Sequence, residues 1–459
     1  MTSLIRSAGR RPRLRRKLLA AGAAAGILAL AACSSSSSSS SSSAPSSASA
    51  SSTSGSSSGG KVTLTFWTWV PGIQQSVSLW NKTHPDIQVN VDETTSGNAG
   101  TYAKMFSALQ AGNAPDLGQV EYATLPNFEH VGGVLDLSKY GAGSVQSDFV
   151  PSTWAQVSQG SAVYGIPQDT GPMGLFYRAD LFKKYGLAVP TTWAQYLSDA
   201  QKLHTANPNA YIAAFPANDA QWFSALAWQA GAKWFSTSGD TWVTGINDTP
   251  STQVANYWQQ LISDHLVKVE PDFATEWYKD LSDGTLLTWP TAVWGENTLS
   301  TNAASTKGDW RVAPMPNWGS TQSNGDWGGS STVVFKDSKY PAQAAEFAEW
   351  LNSNQQSITG LITQGGLYPA DLVGEKQPAA NSPVAFYGGQ NIWQVFQTGG
   401  KLVNSSFQWG PIMSTTFTQM QDGFGKATSG SGTLAQALTS TQSQTVSTMQ
   451  SQGFSVKSG

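Results

Sequence analysis

The sequence predicts an α/β protein with two globular lobes joined by a hinge. About 400 residues follow position 60, which is enough chain for two domains that each bury a sizeable core. Strand-like and helix-like patterns alternate through this region, as is typical of a parallel sheet covered by helices. In its middle, a polar break separates two strand-like runs, which is the pattern expected of a hinge between two bodies.

The first lobe is predicted from the alternation that starts at Lys61. Residues 61–70 (KVTLTFWTWV) are β-branched and aromatic and predict a strand, and residues 87–91 (IQVNV) predict a second. The helix between them carries apolar residues at helical spacing, and another helix is predicted over residues 102–109. A third strand is predicted from 117 to about 122. Because ligands bind at the carboxyl ends of parallel strands, residues after these strands are expected to share one rim.

The hinge is predicted at residues 164–181 (YGIPQDTGPMGLFYRADL). Pro167 removes a backbone donor at the end of a short extended run. The sequence from Asp169 to Pro172 has turn chemistry, since it contains a hydrogen-bonding Asp, a glycine and a second proline. The next five residues, MGLFY, are apolar on both faces if extended, as expected of a central strand in a covered sheet.

Later segments continue the α/β pattern. Thr192 and Gln195 form a predicted capping box at the start of a helix. Residues 310–318 (WRVAPMPNW) predict a strand closed by prolines, and a glycine-rich turn then enters another strand. Pro341 starts a predicted helix, and the chain from Trp393 onward is predicted to be helical.

The first sixty residues are predicted to be a signal and a tether. A head with seven basic residues precedes an apolar stretch of fifteen residues, which is shorter than the roughly 20 needed to span a bilayer. The ending Leu-Ala-Ala-Cys resembles the lipobox of bacterial lipoproteins, in which the cysteine, here Cys33, is acylated and becomes the mature N-terminus. Residues 34–60 are almost entirely Ser, Gly, Ala and Thr and are predicted to be a disordered linker.

Charge and cysteine content exclude several classes of protein. Beyond residue 32, 19 Lys and Arg stand against 29 Asp and Glu, a net charge of −10 that argues against nucleic acid as a partner. Cys33 is the only cysteine, so the chain has no internal disulfide and no cysteine metal site. The four histidines are scattered without metal-ligand spacing, and no cofactor or metal is expected.

Several motifs together resemble those of the extracellular solute-binding proteins of family 1, the sugar-binding type that includes maltose-binding protein. The hinge stretch with its continuation RADLFKKYGLAVPTTWAQY is the most specific of them. The others are the lipobox, LTFWTW, NKTHPDIQVNV, GNAPDL, VGGVLDLSKY, WRVAPMPNW with WGGSSTVVF, and YPAQAAEFAEWL. These motifs cover residues 61 to about 409.

The resemblance implies the type II periplasmic-binding-protein fold, in which two α/β lobes close on a ligand. It implies a signal peptide at 1–32, a linker at 33–60, lobe 1 at 61–168 and 313–335, and lobe 2 at 169–312 and 336–459. It also implies a lipid-anchored monomer on the outer face of the cell membrane. Such a protein passes a sugar or oligosaccharide to the permease of an ATP-driven (ABC) importer.

The resemblance also implies ligand-binding positions. The loop after the first strand contributes Trp69, and later loops and crossovers contribute the rest. The implied ligand-binding residues are Trp69, Glu121, Tyr122, Asp169, Gly171, Trp222, Trp294, Trp327, Gly328, Gly329, Tyr368 and Trp409. Residues 70–72 (VPG) replace the charged sugar contacts of maltose-binding protein, which argues against maltose as the ligand.

The residue types on this rim suit a sugar. A sugar presents flat C–H faces, which aromatic rings cover, and a rim of hydroxyl groups, which carboxylates and amides bind. Two other classes remain open at this point. One is a binding protein for a non-sugar solute such as a peptide or polyamine. The other is a secreted glycoside hydrolase, which would need two carboxylates about 5–9.5 Å apart, although no catalytic motif is present.

Overall fold

The computed structural model of the protein describes residues 60–459. The predicted signal peptide, Cys33 and nearly all of the linker lie outside the described residues. The strands are β1 Val62–Thr68, β2 Ile87–Glu93, β3 Leu117–Glu121, β4 Ser158–Gln159, β5 Ala162–Val163, β6 Ile166–Pro167, β7 Met173–Arg178, β8 Ala214–Phe215, β9 Phe235–Ser238, β10 Thr241–Thr244, β11 Lys268–Val269, β12 Thr288–Ala292, β13 Trp310–Ala313, β14 Ser330–Val334 and β15 Val456–Ser458. The α-helices are α1 Gln74–Thr83, α2 Thr101–Ala111, α3 Leu125–His130, α4 Pro151–Val157, α5 Ala179–Tyr185, α6 Trp193–Ala206, α7 Ala220–Gln229, α8 Thr249–Ser263, α9 Thr275–Asp283, α10 Gly295–Asn302, α11 Pro341–Ser353, α12 Gln355–Thr363, α13 Trp393–Gly400, α14 Met413–Thr428 and α15 Leu434–Ser451.

A first sheet has the strand order β2-β1-β3-β14-β6. Strand β1 runs parallel to β2 and β3, whereas β14 runs antiparallel to β3 and β6. Alternate side chains of β1 are buried, and Phe66 packs edge-on against Phe347 of α11 at a centroid distance of 5.9 Å. The strand–helix–strand–helix–strand order predicted for residues 61–122 is confirmed.

A second sheet has the order β12-β7-β13, with both outer strands antiparallel to β7. Strand β7 contains the MGLFY run and is buried along nearly its whole length, which confirms the predicted central strand. Helix α13 packs on this sheet through Phe396, whose ring lies 5.8 Å from Phe176. The predicted strand at 310–318 is shorter than expected, because β13 ends at Ala313, before the first proline.

The predicted break at 168–172 is the crossing from the first sheet to the second. Strand β6 ends at Pro167 in the first sheet, and β7 begins at Met173 in the second. A second crossing segment, at 326–330, lies beside it, since Pro172 pairs with Asp326 and the Trp327 N–H donates to the Gly171 carbonyl at 2.8 Å. The two crossings are therefore paired side by side between the two sheets.

The predicted lobe limits differ from the packing at one place. The boundary after residue 335 assigned α11 to lobe 2, but α11 packs on the first sheet, where Phe347 also contacts Trp80 of α1. The backbone carbonyl of Ser357 in α12 accepts a hydrogen bond from Ser76 of α1 at 3.1 Å. Because α11 packs its apolar face on the first sheet and α12 is hydrogen-bonded to α1, both helices belong with the first sheet. The remaining limits stay a proposal.

Candidate ligand-binding site

A cavity of about 220 Å³ lies beside the two crossings. It is lined by Trp69, Val70, Pro71, Gln119, Glu121, Asp169, Gln221, Trp294, Trp327, Gly328, Gly329, Ser330 and Leu367. The first sheet contributes residues at the carboxyl ends of β1 and β3, as the parallel topology predicts. Helices next to the second sheet contribute Gln221, in α7, and Trp294, immediately before α10. The cavity therefore has walls from both halves of the fold.

Seven of the twelve sequence-predicted residues line this cavity: Trp69, Glu121, Asp169, Trp294, Trp327, Gly328 and Gly329. They lie on five different segments of the chain, and the two crossings bring them together. Their contact with a ligand stays a prediction.

Aromatic rings form one wall of the cavity. Trp294 and Trp327 meet edge to face at a centroid distance of 4.6 Å, and the Trp294 Nε1–H donates to the Trp327 carbonyl oxygen at 2.8 Å. The chain turns sharply after Trp327 because Gly328 and Gly329 both have positive φ, at 88° and 75°. Trp69 comes from a distant part of the chain, directly after β1, and its ring meets Tyr102 edge to face at a centroid distance of 5.8 Å. These rings are held in place by packing and hydrogen bonds before any ligand arrives.

A hydrogen-bonded network fixes the polar groups of the first sheet. Gln119 accepts from the Trp69 backbone N–H at 3.1 Å and donates to the Ser330 hydroxyl at 3.0 Å. Asp169 accepts from the Ser330 backbone N–H and its hydroxyl at 2.9 and 2.5 Å. This network connects the end of β1, strand β3 and both crossings, so it positions the cavity wall across the hinge.

Glu121 is the carboxyl group at the end of β3. The Tyr102 hydroxyl accepts from the Glu121 backbone N–H at 2.9 Å and donates to its Oε2 at 3.1 Å. Burial raises the pKa of Glu121 to about 7, and the nearby charges of Asp169 and Asp219 add to the effect. Gln221 lies beside this carboxyl group, and its amide partly offsets the rise in the pKa of Glu121, although its Nε2 makes no well-aligned hydrogen bond among residues 60–459. A carboxyl group and an amide donor thus meet in the cavity.

Two further buried carboxyl groups stand at the crossings. Burial raises the pKa of Asp169 to about 6 and that of Asp326 to about 7. Asp326 accepts from the Thr170 hydroxyl at 2.8 Å and from the Gly171 backbone N–H at 3.1 Å, and these bonds oppose the rise without cancelling it. The two aspartates that hydrogen-bond the crossings therefore ionise at a higher pH than an exposed aspartate does.

We expect the ligand-free protein to be less stable at pH 8 than at pH 5.5. In the folded state Glu121, Asp169 and Asp326 have pKa values above those of the unfolded chain, so folding binds protons. Their stabilising contribution is complete below about pH 4 and is lost as the pH rises through about 6 to 7. Thermal unfolding in buffers of constant ionic strength measures this slope, and Asp326→Asn should flatten it. A melting temperature that rises from pH 5.5 to pH 8 would contradict the assignment.

Five predicted residues lie outside the cavity. Trp222 is only 2% exposed and packs on Trp258 in the core, with its Nε1–H bonded to the Pro290 carbonyl. Tyr368 is buried in a stack with Trp393 at 5.9 Å, and its neighbour Leu367 reaches the cavity instead. The expectation that Trp222 and Tyr368 line the cleft does not match these positions, because helical and turn geometry points both rings into packed interiors.

The other three support the cavity or lie elsewhere. Tyr122 is buried and donates to the Asp169 carbonyl at 2.8 Å. Gly171 allows the close approach of the two crossings. Trp409 lines a different cavity of about 450 Å³, next to α4 and the loop before α14. Trp409 is therefore not among the residues that line the candidate ligand cavity, where the sequence analysis expected it.

Sequence reasoning missed three polar residues of the cavity. Gln119 had a signal, since it precedes Glu121 by two positions in an extended strand and so lies on the same face. Ser330 directly follows the glycine pair that the sequence singled out. Gln221 had no local signal, because its place depends on how α7 packs across the crossing.

The described part of the chain shows no group of three or more His, Cys, Asp or Glu side chains placed to hold a metal ion. Among residues 60–459, no helix has both the length and the apolar character needed to cross a membrane.

Residues 67–358 match the model of the family described as bacterial extracellular solute-binding protein. The chain belongs to this family. The matched range contains the second sheet, all of the first sheet except most of β1, and every lining residue of the cavity except Leu367. The family resemblance inferred from the sequence motifs is therefore confirmed.

Solved structures and a curated relative of this family extend the comparison. The galacto-N-biose-/lacto-N-biose I-binding protein of the ABC transporter from Bifidobacterium longum, in complex with lacto-N-biose, is 30% identical with a TM-score of 0.79, covering 87% of this chain and 100% of its own. The ABC transporter associated binding protein from B. animalis subsp. lactis Bl-04, in complex with beta-1,6-galactobiose, is 27% identical with a TM-score of 0.75, covering 86% of this chain and 100% of its own. The arabinooligosaccharide-binding protein of Bacillus subtilis (strain 168) is 26% identical over 68% of this chain and 73% of its own length. All three are binding proteins, and the structural matches confirm the predicted solute-binding-protein fold.

Proposed function

We propose that this solute-binding protein captures an extracellular sugar or oligosaccharide in the cavity between its two lobes and delivers it to the permease of an ABC importer. The observation that carries the proposal is the meeting of an aromatic wall with carboxylate and amide groups in one cavity. Aromatic faces cover the C–H faces of a sugar, and the polar groups bind its hydroxyls. The saccharides that the relatives bind support the same class of ligand.

Each wall has a proposed role. Trp294 stacks on a sugar ring with the buried ring of Trp327 packed against it, and Trp69 contacts the ligand from the first lobe. Glu121 accepts hydrogen bonds from sugar hydroxyls, and Gln221 donates through its Nε2. Asp169 acts through Ser330 by fixing the position of that hydroxyl. Gly328 and Gly329 keep the turn narrow enough for the backbone to approach the ligand.

Ligand binding is proposed to favour closure of the lobes. Glu121 belongs to the first sheet, whereas Gln221 and Trp294 belong to helices beside the second, so one sugar would contact both. A ligand shifts a conformational equilibrium only by its difference in affinity for the two states, and bridging contacts exist only in the closed state. Small-angle scattering with a saturating ligand should therefore show a smaller radius of gyration.

The cellular arrangement is part of the proposal. Acylation of Cys33 would anchor the protein, as a monomer, at the outer face of the cell membrane, and residues 34–60 would let the binding lobes move relative to the anchor. Labelling of the protein with a radioactive fatty acid, and loss of label in Cys33→Ser, would test the anchor.

The decisive experiment is calorimetric titration of the purified protein with arabinooligosaccharides, lactose, beta-1,6-galactobiose and lacto-N-biose, with a peptide and spermidine as controls. At 100 times its dissociation constant a ligand should stabilise the fold by about 2.7 kcal/mol, which gives an independent thermal-shift readout. Binding of one saccharide class, recovered unchanged, is the expected result. Binding of only a control solute would overturn the sugar assignment, and release of hydrolysed sugar would indicate an enzyme.

A further inference from the structure

Tyr102, in the first turn of α2, contacts two of the residues that line the ligand cavity. Its hydroxyl accepts from the Glu121 backbone N–H and donates to Glu121 Oε2, and its ring meets Trp69 edge to face. Tyr102 is itself only 5% exposed and is not one of the lining residues. Any effect that it has on a ligand therefore passes through Glu121 and Trp69, the residues at the ends of β3 and β1.

Packing leaves the ring of Tyr102 little freedom to move. It meets Phe128 of α3 edge to face at a centroid distance of 5.9 Å, and Phe128 stacks on Phe106 at 4.2 Å. Residues 97–99 also lie against it, since a Cβ at Gly97 would overlap both the ring and the hydroxyl of Tyr102. A ring fixed by packing keeps its hydroxyl in one place, as the precise positioning of a neighbouring group requires.

The two oxygens of the Glu121 carboxyl group have different surroundings. Oε2 accepts from the Tyr102 hydroxyl at 3.1 Å and from Asn98 Nδ2 at 3.4 Å. Oε1 accepts no well-aligned hydrogen bond from residues 60–459, although the amide of Gln221 lies beside the carboxyl group. One oxygen is thus held by the protein, and the other is left for the hydroxyl of a ligand in the cavity.

The same contact affects how readily Glu121 ionises. Burial raises its pKa to about 7, the bond from Tyr102 opposes this rise, and the charges of Asp169 and Asp219 add to it. Among the groups that face Glu121, Tyr102 is the one that favours the carboxylate most, since none of the residues lining the cavity is Lys or Arg. Burial also raises the pKa of Tyr102 well above its ordinary value, so the hydroxyl keeps its proton and remains a donor.

We propose that Tyr102 is a positioning residue for the ligand, which holds Glu121 so that Oε1 faces a sugar hydroxyl and keeps this carboxyl group in its accepting form. Its ring also supports Trp69 on the same side of the cavity. This inference rests on the proposed function. The apolar spacing of α2 predicts only a core role for Tyr102, and the hydroxyl adds the second role.

The test removes only the hydroxyl group, with Tyr102→Phe. Tyr257→Phe is the matched control, because the Tyr257 hydroxyl donates to the Trp193 carbonyl at 2.8 Å, and none of its ring neighbours lines the cavity. Both variants and the parent protein are titrated calorimetrically at pH 5 and pH 8. The probe is the saccharide that the parent binds most tightly among arabinooligosaccharides, lactose, beta-1,6-galactobiose and lacto-N-biose.

A second measurement needs no sugar. NMR of protein labelled with carbon-13 at the glutamate carboxyl carbons follows the titration of Glu121, whose signal is identified by its absence in Glu121→Gln. A role in packing alone would not change the pH at which this signal titrates, so the midpoint separates positioning of the carboxyl group from support of the fold.

Tyr102→Phe should weaken binding about 3- to 10-fold at pH 8, and less at pH 5, where the carboxyl group is protonated in both proteins. The titration midpoint of Glu121 should move to a pH about 0.5–1 higher, because the carboxylate has lost its main donor. Tyr257→Phe should change neither quantity. In a Glu121→Gln background, Tyr102→Phe should have a much smaller effect on affinity.

Two results would overturn the inference and leave the sugar-binding function intact. One is an unchanged midpoint for Glu121 in Tyr102→Phe. The other is a loss of affinity that is equal at both pH values and persists in the Glu121→Gln background, which would make Tyr102 a packing residue. If the parent protein bound no saccharide, the proposed function would fall, and the NMR titration would still decide whether Tyr102 controls the carboxyl group.

Discussion

Gly171→Ala should destabilise the protein by more than about 4 kcal/mol, because the new methyl group has no room. A Cβ at this position would lie 2.1 Å from the backbone oxygen of Trp327 and 2.8 Å from its carbonyl carbon. The obstacle is backbone, so no side-chain rotation can relieve it. The two crossings are also bonded here in both directions, through the Gly171 N–H to Asp326 and the Trp327 N–H to Gly171. Separating them would break these bonds and move Trp327 away from the cavity.

Thermal and denaturant unfolding of Gly171→Ala measure this effect. The matched control is Gly425→Ala in α14, where a Cβ meets nothing within 4 Å and φ is not positive. That change should instead stabilise the protein by about 0.5–1 kcal/mol, since alanine favours a helix more than glycine does. If Gly171→Ala unfolded at the same temperature as the parent, the close approach of the crossings would be disproved.

The elements around the hinge were predictable because their signals are local. Strand β7 is a continuous apolar run, Pro167 and Pro172 flank a polar break, and each feature determines backbone geometry within a few residues. The carboxyl ends of β1 and β3 were placed correctly on one rim by parallel topology alone. Local chemistry and topology therefore located the rim with Trp69, Glu121 and Asp169, whereas the other four predicted lining residues came from the family resemblance.

The positions that the sequence assigned wrongly or missed depend on contacts between distant segments of the chain. Trp222 is one of several tryptophans in an aromatic-rich chain, and nothing in its neighbours distinguishes a core ring from a cavity ring. Its burial against Trp258 of α8 arises from helix packing, which no short pattern encodes. Gln221 reaches the cavity through the same packing.

Glu121→Gln should weaken sugar binding and stabilise the ligand-free protein at the same time. An ionised carboxylate accepts hydrogen bonds more strongly than a neutral amide oxygen, and loss of one buried charge-assisted bond costs roughly 1.5–3 kcal/mol, or about 10- to 150-fold in affinity. Burial raises the pKa of Glu121 to about 7, so at pH 8 the folded protein carries a charge that its surroundings disfavour. Glutamine removes that charge and keeps an oxygen for the Tyr102 hydroxyl.

The two effects should separate with pH. At pH 8 Glu121→Gln should raise the free energy of unfolding by about 1–3 kcal/mol, and this gain should fall with the pH and vanish below about pH 4, where the parent carboxyl group is protonated in the folded and the unfolded chain. The affinity difference should follow the same trend, because only the ionised carboxylate accepts strongly from hydroxyls. Calorimetric titration and thermal unfolding at both pH values, with Glu276→Gln on the exposed surface of α9 as control, measure both quantities. A variant that loses stability and affinity together at every pH would show that Glu121 supports the fold and does not serve the ligand. The expected result is a variant with higher stability and weaker binding. It would show that the carboxyl group of Glu121 is unfavourably buried in the free protein and serves to bind the hydroxyl groups of the ligand.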